Sequence, residues 1–186
     1  MFLGVDTSAN HTGVVVLHPS GSLAWCRTVI PEAACTGPAR LLFIRNTLET
    51  ILGNGRFCVS AREAYSHGST HRAFLLGEVG GLATVAMYVR SQTYIECAPS
   101  ALKKFAASDA RAEKGDMCQA VRSRWGFDTT DDNLADAFAL AQVAYAFANP
   151  ADCTRPQLEV LATIRKSTLG EKKTVRRAAL RNKHSI

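Results

Sequence analysis

The sequence predicts a layered fold of the α/β or α+β type, a mixed sheet with helices packed on it. Three features predict it: short β-rich runs joined by turn residues come first, two later strands alternate with helices, and the second half is helical throughout. FLGVDTS, GVVVLH and SLAWCRTVI are separated only by Asn10 to Gly13 and by Pro19, Ser20 and Gly21. Connections that short join antiparallel neighbours, so the first third reads as a meander. ARLLFIRNTLETIL then repeats its apolar positions at helical spacing and stops near Gly53. RFCVSARE returns as a strand. Ala73 to Val89, with Gly77, Gly80 and Gly81, reads as a helix whose small residues pack closely on the sheet. TYIEC is a fifth strand.

Three helices follow. PSALKKFAAS starts with Pro99, which suits a first helical turn because its missing N–H is not needed there. AEKGDMCQAVRSRWG ends at Gly126, Asp128 to Asp131 make a turn, and DDNLADAFALAQVAYAFA is the last long helix. Beyond Asn149 and Pro150 the pattern weakens, so residues 1–150 read as the folded domain and 151–186 as a basic extension, partly helical or disordered.

Size and composition support one domain. A chain of 186 residues buries a core but is short for two, and 47% apolar with 20% charged residues is ordinary for a soluble protein. No apolar run has the length of a membrane span, and the first residues lack the basic start and cleavage site of a signal peptide. The expected location is the cytoplasm. The six cysteines, Cys26, Cys35, Cys58, Cys97, Cys118 and Cys153, contain no C-x-x-C pair, which argues against zinc and leaves most of them as small buried apolar residues.

The charge is uneven. Residues 155–186 hold nine Lys or Arg against Glu159 and Glu171, which exceeds the whole net charge of +6 and leaves the body nearly neutral. Clustered cations gain by displacing counterions from phosphates, so the tail, with Lys172, Lys173, Arg176 and Arg177, is expected to touch nucleic acid. A solvated, disordered end is the other reading.

Four acids carry the chemistry. Asp6 ends the first strand, Glu63 ends the fourth, and Asp132 and Asp136 open the last long helix. Carboxylates at such places are costly to desolvate unless a cation neutralises them, and hard divalent metals do so well. Acids that hold metal beside a DNA-binding surface suit metal-assisted phosphodiester cleavage. Each acid also has an ordinary use: Asp6 in a turn with Ser8 and Thr12, Glu63 in an ion pair with Arg62 or a later Lys, Asp132 as a helix N-cap. Asp136 is harder to explain away, because it lies between Ala135 and Ala137 on an apolar helix.

The order LGVDTSANHTGVVVL, a strand ending in Glu63, LLGEVGGLATVA, APSALKKFAASDARAEKGDMCQAVRSRWG and DDNLADAFALA resembles the RuvC-type Holliday junction resolvases of the RNase H-like superfamily. The similarity covers about residues 1–148, and the chain length and short loops fit a bacteriophage member. It implies an RNase H-like mixed five-stranded sheet flanked by helices. It also implies an endonuclease that resolves four-way junctions, or cuts flaps and other branched DNA, by paired nicks leaving 5′ phosphate and 3′ hydroxyl ends.

Asp6, Glu63 and Asp136 match three family acids, and the fourth family aspartate falls where this chain has Asn133, with Asp132 one place earlier. Both positions project near the same helix face, and Asp132 is the preferred ligand because Asn133 offers only a neutral oxygen. Asp6, Glu63, Asp132 and Asp136 are thus expected to hold two Mg²⁺ or Mn²⁺ ions about 4 Å apart, one activating water and one stabilising the leaving oxygen.

Lys114 matches a basic family position where it would hold a phosphate; Lys103 and Lys104 are weaker candidates. Tyr65 is a candidate to stack on junction bases, one residue out of register with the family's aromatic, and His67 and His71 receive no role. Paired cuts imply a two-fold homodimer, and the resemblance implies the glycine-rich helix, with Phe74, Leu75, Leu82 and Met87, as its interface; burial against its own sheet is the other reading.

Two other readings remain at this point. DTSANHTGVVVL also looks like the first phosphate loop of actin-like and sugar-kinase ATPases, although the chain is short for their second lobe. Asn133 would also suit an inactive DNA-binding scaffold.

Overall fold

The computed structural model describes residues 1–8, 10–53, 55–65 and 73–182, without the side chains of 73, 92, 114 and 169–182. Five strands form one sheet: β1 (Phe2–Asp6), β2 (Thr12–Leu17), β3 (Leu23–Val29), β4 (Phe57–Glu63) and β5 (Ser91–Cys97), in the order β3-β2-β1-β4-β5. β1, β2 and β3 are antiparallel neighbours, as their short connections require, and β4 and β5 run parallel to β1. A parallel return needs a long crossover, which α1 (Gly37–Leu52) supplies between β3 and β4 and α2 (Ala73–Tyr88) between β4 and β5. α3 (Pro99–Ala107), α4 (Lys114–Trp125), α5 (Asp132–Ala148) and α6 (Arg155–Asn182) follow. This is the mixed five-stranded, helix-flanked sheet the sequence predicted.

The sheet separates two cores because successive strand residues point to opposite faces. Leu3, Val5 and Val14 pack with Ile44 and Leu48 of α1 and Val79, Ala83 and Met87 of α2. Phe2, Val15, Val59 and Ala61 face α5, joined by Leu102 and Phe105 of α3, Val121 of α4 and Leu161 of α6. α5 lies nearest the sheet, and six of its ten buried residues are alanine. A Cβ at Gly4 of β1 would strike the Ala137 carbonyl and the Ala141 amide, so helix and strand meet backbone to backbone. That close approach fixes where the first turn of α5 stands.

Three expectations need correction. The glycines of α2 do not seat it on the sheet: among the described residues Gly77 and Gly81 face open space and Gly80 faces Tyr65, while Ala83 and Ala86 make the close approach. Met87 is 1% exposed and belongs to the core, so it cannot serve an interface. Of the six cysteines only Cys97 is buried; Cys58 is exposed and the others are half-buried.

The chain after Pro150 turns into α6, whose Val160, Leu161 and Ile164 are buried in the α5-side core. Lys104 Nζ donates to Glu159 Oε2 at 2.7 Å and Arg165 donates to the Phe147 carbonyl at 2.9 Å, tying α6 to α3 and α5. No helix among the described residues is long and apolar enough to cross a membrane.

Candidate active site

β1 and β4 are in register, with Gly4 opposite Ala61 and Val5 opposite Arg62, and each strand ends one residue later in an acid. Phe2 and Gly4 face α5, so alternation sends Asp6 to that side; Val59 and Ala61 send Glu63 there as well. Gly13, the partner of Asp6 on β2, lies beneath the Asn133 carbonyl, so close that a Cβ on it would strike that carbonyl and come within 3.0 Å of the Ala137 Cβ. The start of α5 therefore crosses the end of β1 where Asp6 stands, and Asp136 occupies the same stretch of helix. All four acids are half-buried.

The electrostatics show which acids meet. Burial pushes the Glu63 carboxyl up to about 7; Asp136 adds to the rise, and Lys103 and then Arg62 oppose it. Glu63, Asp136 and Lys103 thus share one neighbourhood although they come from β4, α5 and α3. Cys97, in register with Glu63, has its thiol pushed up to about 12 by burial and then by the Glu63 charge. On the far side, the Cys118 thiol of α4 donates to Asp132 Oδ1 at 3.6 Å. Burial raises the Cys118 pKa, and Asp132, Asp136 and Asp131 raise it further.

The cap of α5 corrects one reading. Asp131, not Asp132, is the N-cap: its side chain accepts from the Asn133 and Leu134 amides, and its Oδ2 accepts the Thr28 hydroxyl at 2.6 Å. Burial works against its charge, yet these bonds and one from the Asn133 side chain hold Asp131 below the usual carboxylate range. Asn133 thus turns back to the same cap, Nδ2 donating to Asp131 Oδ1 at 3.2 Å. With Asp131 capping, Asp132 is the first helical residue and its carboxylate reaches α4.

Glu63 does not pair with Arg62 in the way the adjacent residues suggested. Strand neighbours face opposite ways, so the Arg62 guanidinium lies on the α2 side and pairs with Glu96 at 2.8 Å. Arg62 is 1% exposed, and sequence reasoning misses its role because a charged residue beside Glu63 reads naturally as its partner. The clue is its place in a run of buried positions, Ser60 and Ala61.

The predicted DNA-binding residues are spread out. Lys103 stands at the acids, while Lys104 is held by Glu159 on the other side of α3. Tyr65 is half-exposed, with its hydroxyl donating to the Gly77 carbonyl at 3.2 Å and the Arg62 Cζ 4.3 Å from its ring centre. Those interactions restrain its use as a wedge. His67 and His71 fall outside the described residues, as do the side chains of Lys114, Lys172, Lys173, Arg176 and Arg177.

The donor set suits a hard divalent cation: burial first, and then the charge of Asp136 on α5, push the Glu63 carboxyl of β4 up to about 7. The acids do not close into a finished ligand shell. Among the described residues, no three His, Cys, Asp or Glu side chains are grouped tightly enough to hold an ion.

Comparison with known proteins adds the family. The family model for crossover junction endodeoxyribonuclease RuvC matches residues 2–144. A curated relative, the crossover junction endodeoxyribonuclease RuvC of Chloroflexus aggregans, is 28% identical over 154 residues, covering 80% of this chain and 93% of the relative. The structure of Thermus thermophilus RuvC superposes with a TM-score of 0.64 at 23% identity, covering 82% of this chain and 97% of that one. Thermus thermophilus RuvC in complex with Holliday junction substrate gives 0.65 at 20% identity, covering 82% and 96%. The match reaches from β1 into α5 and spans Asp6, Glu63, Asp132 and Asp136, and with it this chain belongs to the RuvC family of crossover junction endodeoxyribonucleases.

Proposed function

We propose that this protein is a divalent-metal-dependent endonuclease that resolves four-way DNA junctions by paired nicks, acting as a homodimer. One observation carries the reading: Glu63 from the sheet and Asp136 from the covering helix converge in a buried setting that raises the Glu63 carboxyl pKa to about 7. Within a family of junction endonucleases, acids drawn together from sheet and helix suit a site built around cations.

Asp6, Glu63, Asp132 and Asp136 would hold Mg²⁺ or Mn²⁺, two per site on the family pattern. Bound there, the metal supplies a nucleophilic water and charge stabilisation at the leaving 3′ oxygen. The chain's own residues do the rest. The backbone approach of α5 to β1 holds the two acid-bearing elements in fixed relation. Lys103, close enough to offset the Glu63 charge, would hold a phosphate beside the acids. Asp132, steadied by Cys118, completes the set from the first turn of α5.

Paired incisions need two sites related by symmetry. α2 offers Phe74 at 89% exposure, with Val85 and Tyr88 also exposed, beside an apolar groove lined by Leu41, Leu42 and Leu82 between α1 and α2. A second copy would cover this face. α6 carries Lys172, Lys173, Arg176 and Arg177 at spacings that share one side of a helix, which suits binding of backbone phosphates outside the site.

A product map on a mobile four-way junction with Mg²⁺ or Mn²⁺ tests this. Symmetric nick pairs ending in 5′ phosphate and 3′ hydroxyl are expected. Intact junctions, or single nicks with no partner cut, would count against it.

A further inference from the structure

On the face of the sheet away from the acids, Arg62 is almost completely enclosed and makes three directed bonds. Nε donates to the Tyr94 hydroxyl at 2.7 Å, Nη2 to Glu96 Oε1 at 2.8 Å and Nη1 to the Glu63 backbone carbonyl at 2.8 Å. Tyr94 donates in turn to Glu96 Oε1 at 2.7 Å. The Tyr65 ring covers the guanidinium and bonds to Gly77 of α2, and Thr84, which donates to the Gly80 carbonyl, stands 3.3 Å from the Tyr94 hydroxyl. The network thus reaches from β5 and α2 to one peptide group, the one that follows Glu63.

That peptide group lies where restraint is most needed. Glu63 is the last residue of β4, and the Ala64 amide bonded to the Cys97 carbonyl at 2.8 Å continues the ladder only one step. Burial and the field of Asp136 act against the charged Glu63 carboxylate at this strand end. A guanidinium is planar and always charged, and its three nitrogens reach three separate acceptors in fixed directions, whereas an ammonium carries its donors on one freely rotating nitrogen. The Arg62 side of this pair is buried while the Glu96 side chain is 36% exposed, and replacing a buried charge by apolar residues of similar volume is often neutral for stability. Stability alone therefore does not account for Arg62 among the valines and alanines of this face.

We propose that Arg62 is the positioning residue for Glu63: through the Glu63 carbonyl, and braced by Glu96 and Tyr94, it fixes the direction in which the carboxylate is presented to the metal. The proposal rests on the reading of Glu63 as a metal ligand. It places a residue that sets metal affinity outside the acid site, on the opposite side of the sheet, where it acts on the metal only through Glu63.

The test is direct Mn²⁺ binding by isothermal titration calorimetry on the full chain. It compares wild type with Arg62→Lys, the apolar replacement Arg62→Met/Glu96→Leu, the milder Tyr94→Phe, and Glu63→Gln. The Arg62 variants are expected to fold and to bind Mn²⁺ about 10- to 100-fold more weakly, the usual effect of losing a group that orients a ligand. Tyr94→Phe, which removes one brace and leaves the guanidinium, should lose several-fold. In cleavage assays the Mn²⁺ concentration for half-maximal rate should rise by the same factor, while turnover at saturating Mn²⁺ stays near wild type, a split that a general loss of fold would not produce. If folded Arg62 variants and Tyr94→Phe bind as wild type while Glu63→Gln binds weakly, Arg62 does not position Glu63. If Glu63→Gln also binds as wild type, the ligand assignment fails and the proposal goes with it.

Discussion

The Thr28 hydroxyl donates to Asp131 Oδ2 across 2.6 Å, joining edge strand β3 to the first turn of the helix that carries Asp132 and Asp136. Asp131 Oδ1 accepts from the Asn133 and Leu134 amides, so one carboxylate caps the helix and anchors it to the sheet. Removing an N-cap costs about 0.5–2 kcal/mol, and loss of the Thr28 bond places Asp131→Ala toward the upper end. Asp131→Asn keeps an acceptor and should lose less. Because the folded pKa lies below the ordinary value, this contribution is full above the unfolded pKa and fades as pH falls through the folded one. Urea unfolding of both variants at neutral and acid pH checks it, the Asp131→Ala deficit shrinking in acid.

Gly13 has no room for a side chain. A Cβ there would run into the Asn133 carbonyl and stop 3.0 Å from the Ala137 Cβ. Overpacking of this kind costs about 1–3 kcal/mol, here at the upper end because backbone is struck. Gly13→Ala should lower the midpoint of thermal unfolding. It should also reduce cleavage well beyond the unfolded fraction, since relief comes only by lifting the start of α5 from Asp6. Activity that simply follows the folded population would show that α5 is not what sets the geometry.

Glu63 makes stability depend on pH in the absence of metal. Its folded pKa of about 7 lies above the ordinary 4.5, so the folded state takes up a proton more readily than the unfolded chain. Its stabilising contribution is complete below the unfolded value and disappears as pH rises through about 7. In chelator the melting temperature should therefore fall as pH rises from about 5 to about 8, and Glu63→Gln should flatten that fall and melt higher than wild type at the alkaline end. Mn²⁺, bound by the folded state, should raise the wild-type midpoint more at the alkaline end than at the acid end. Parallel pH profiles for the two proteins would overturn the assignment.

Much of this is legible in the sequence. The five strands and the first five helices follow from apolar spacing, and carboxylates at strand ends advertise themselves because nothing apolar would put them there. What escapes depends on offsets of a single residue. Asp131, Asp132 and Asn133 are consecutive polar residues, and which one caps decides where the other two point. Arg62 and Glu63 are adjacent, yet a sheet sends them to opposite faces. The helix after Pro150 has a signal in Val160, Leu161 and Ile164, but it is diluted by the charges between and around them.

The cap also separates Asp132 from Asn133. Asp132 is held by Cys118 beside the other acids, whereas the Asn133 side chain bonds to Asp131. Asp132→Asn should abolish cleavage, by at least about 100-fold if it removes a ligand, while junction binding persists. Asn133→Ala should keep most activity and lose only a little stability. Gel-shift and nicking assays on the same junction decide it, and an active Asp132→Asn protein would shift the assignment away from Asp132.

α6 dictates how the basic tail is to be tested. Deleting residues 155–186 would remove Val160, Leu161 and Ile164 from the core, each contributing about 1.5–3 kcal/mol by burial, and would confuse binding with folding. Ending the chain at Thr168 keeps those three residues and the Lys104–Glu159 bridge, and removes six Lys or Arg and one Glu. That truncation should keep the wild-type melting temperature and weaken junction binding. The slope of log affinity against log salt should become shallower by about 0.9 for each duplex phosphate that the tail no longer neutralises. Cleavage at saturating DNA should be unchanged, because the acids and Lys103 lie on other elements. Unaltered affinity and slope in the stable truncated protein would remove the tail from the DNA interface.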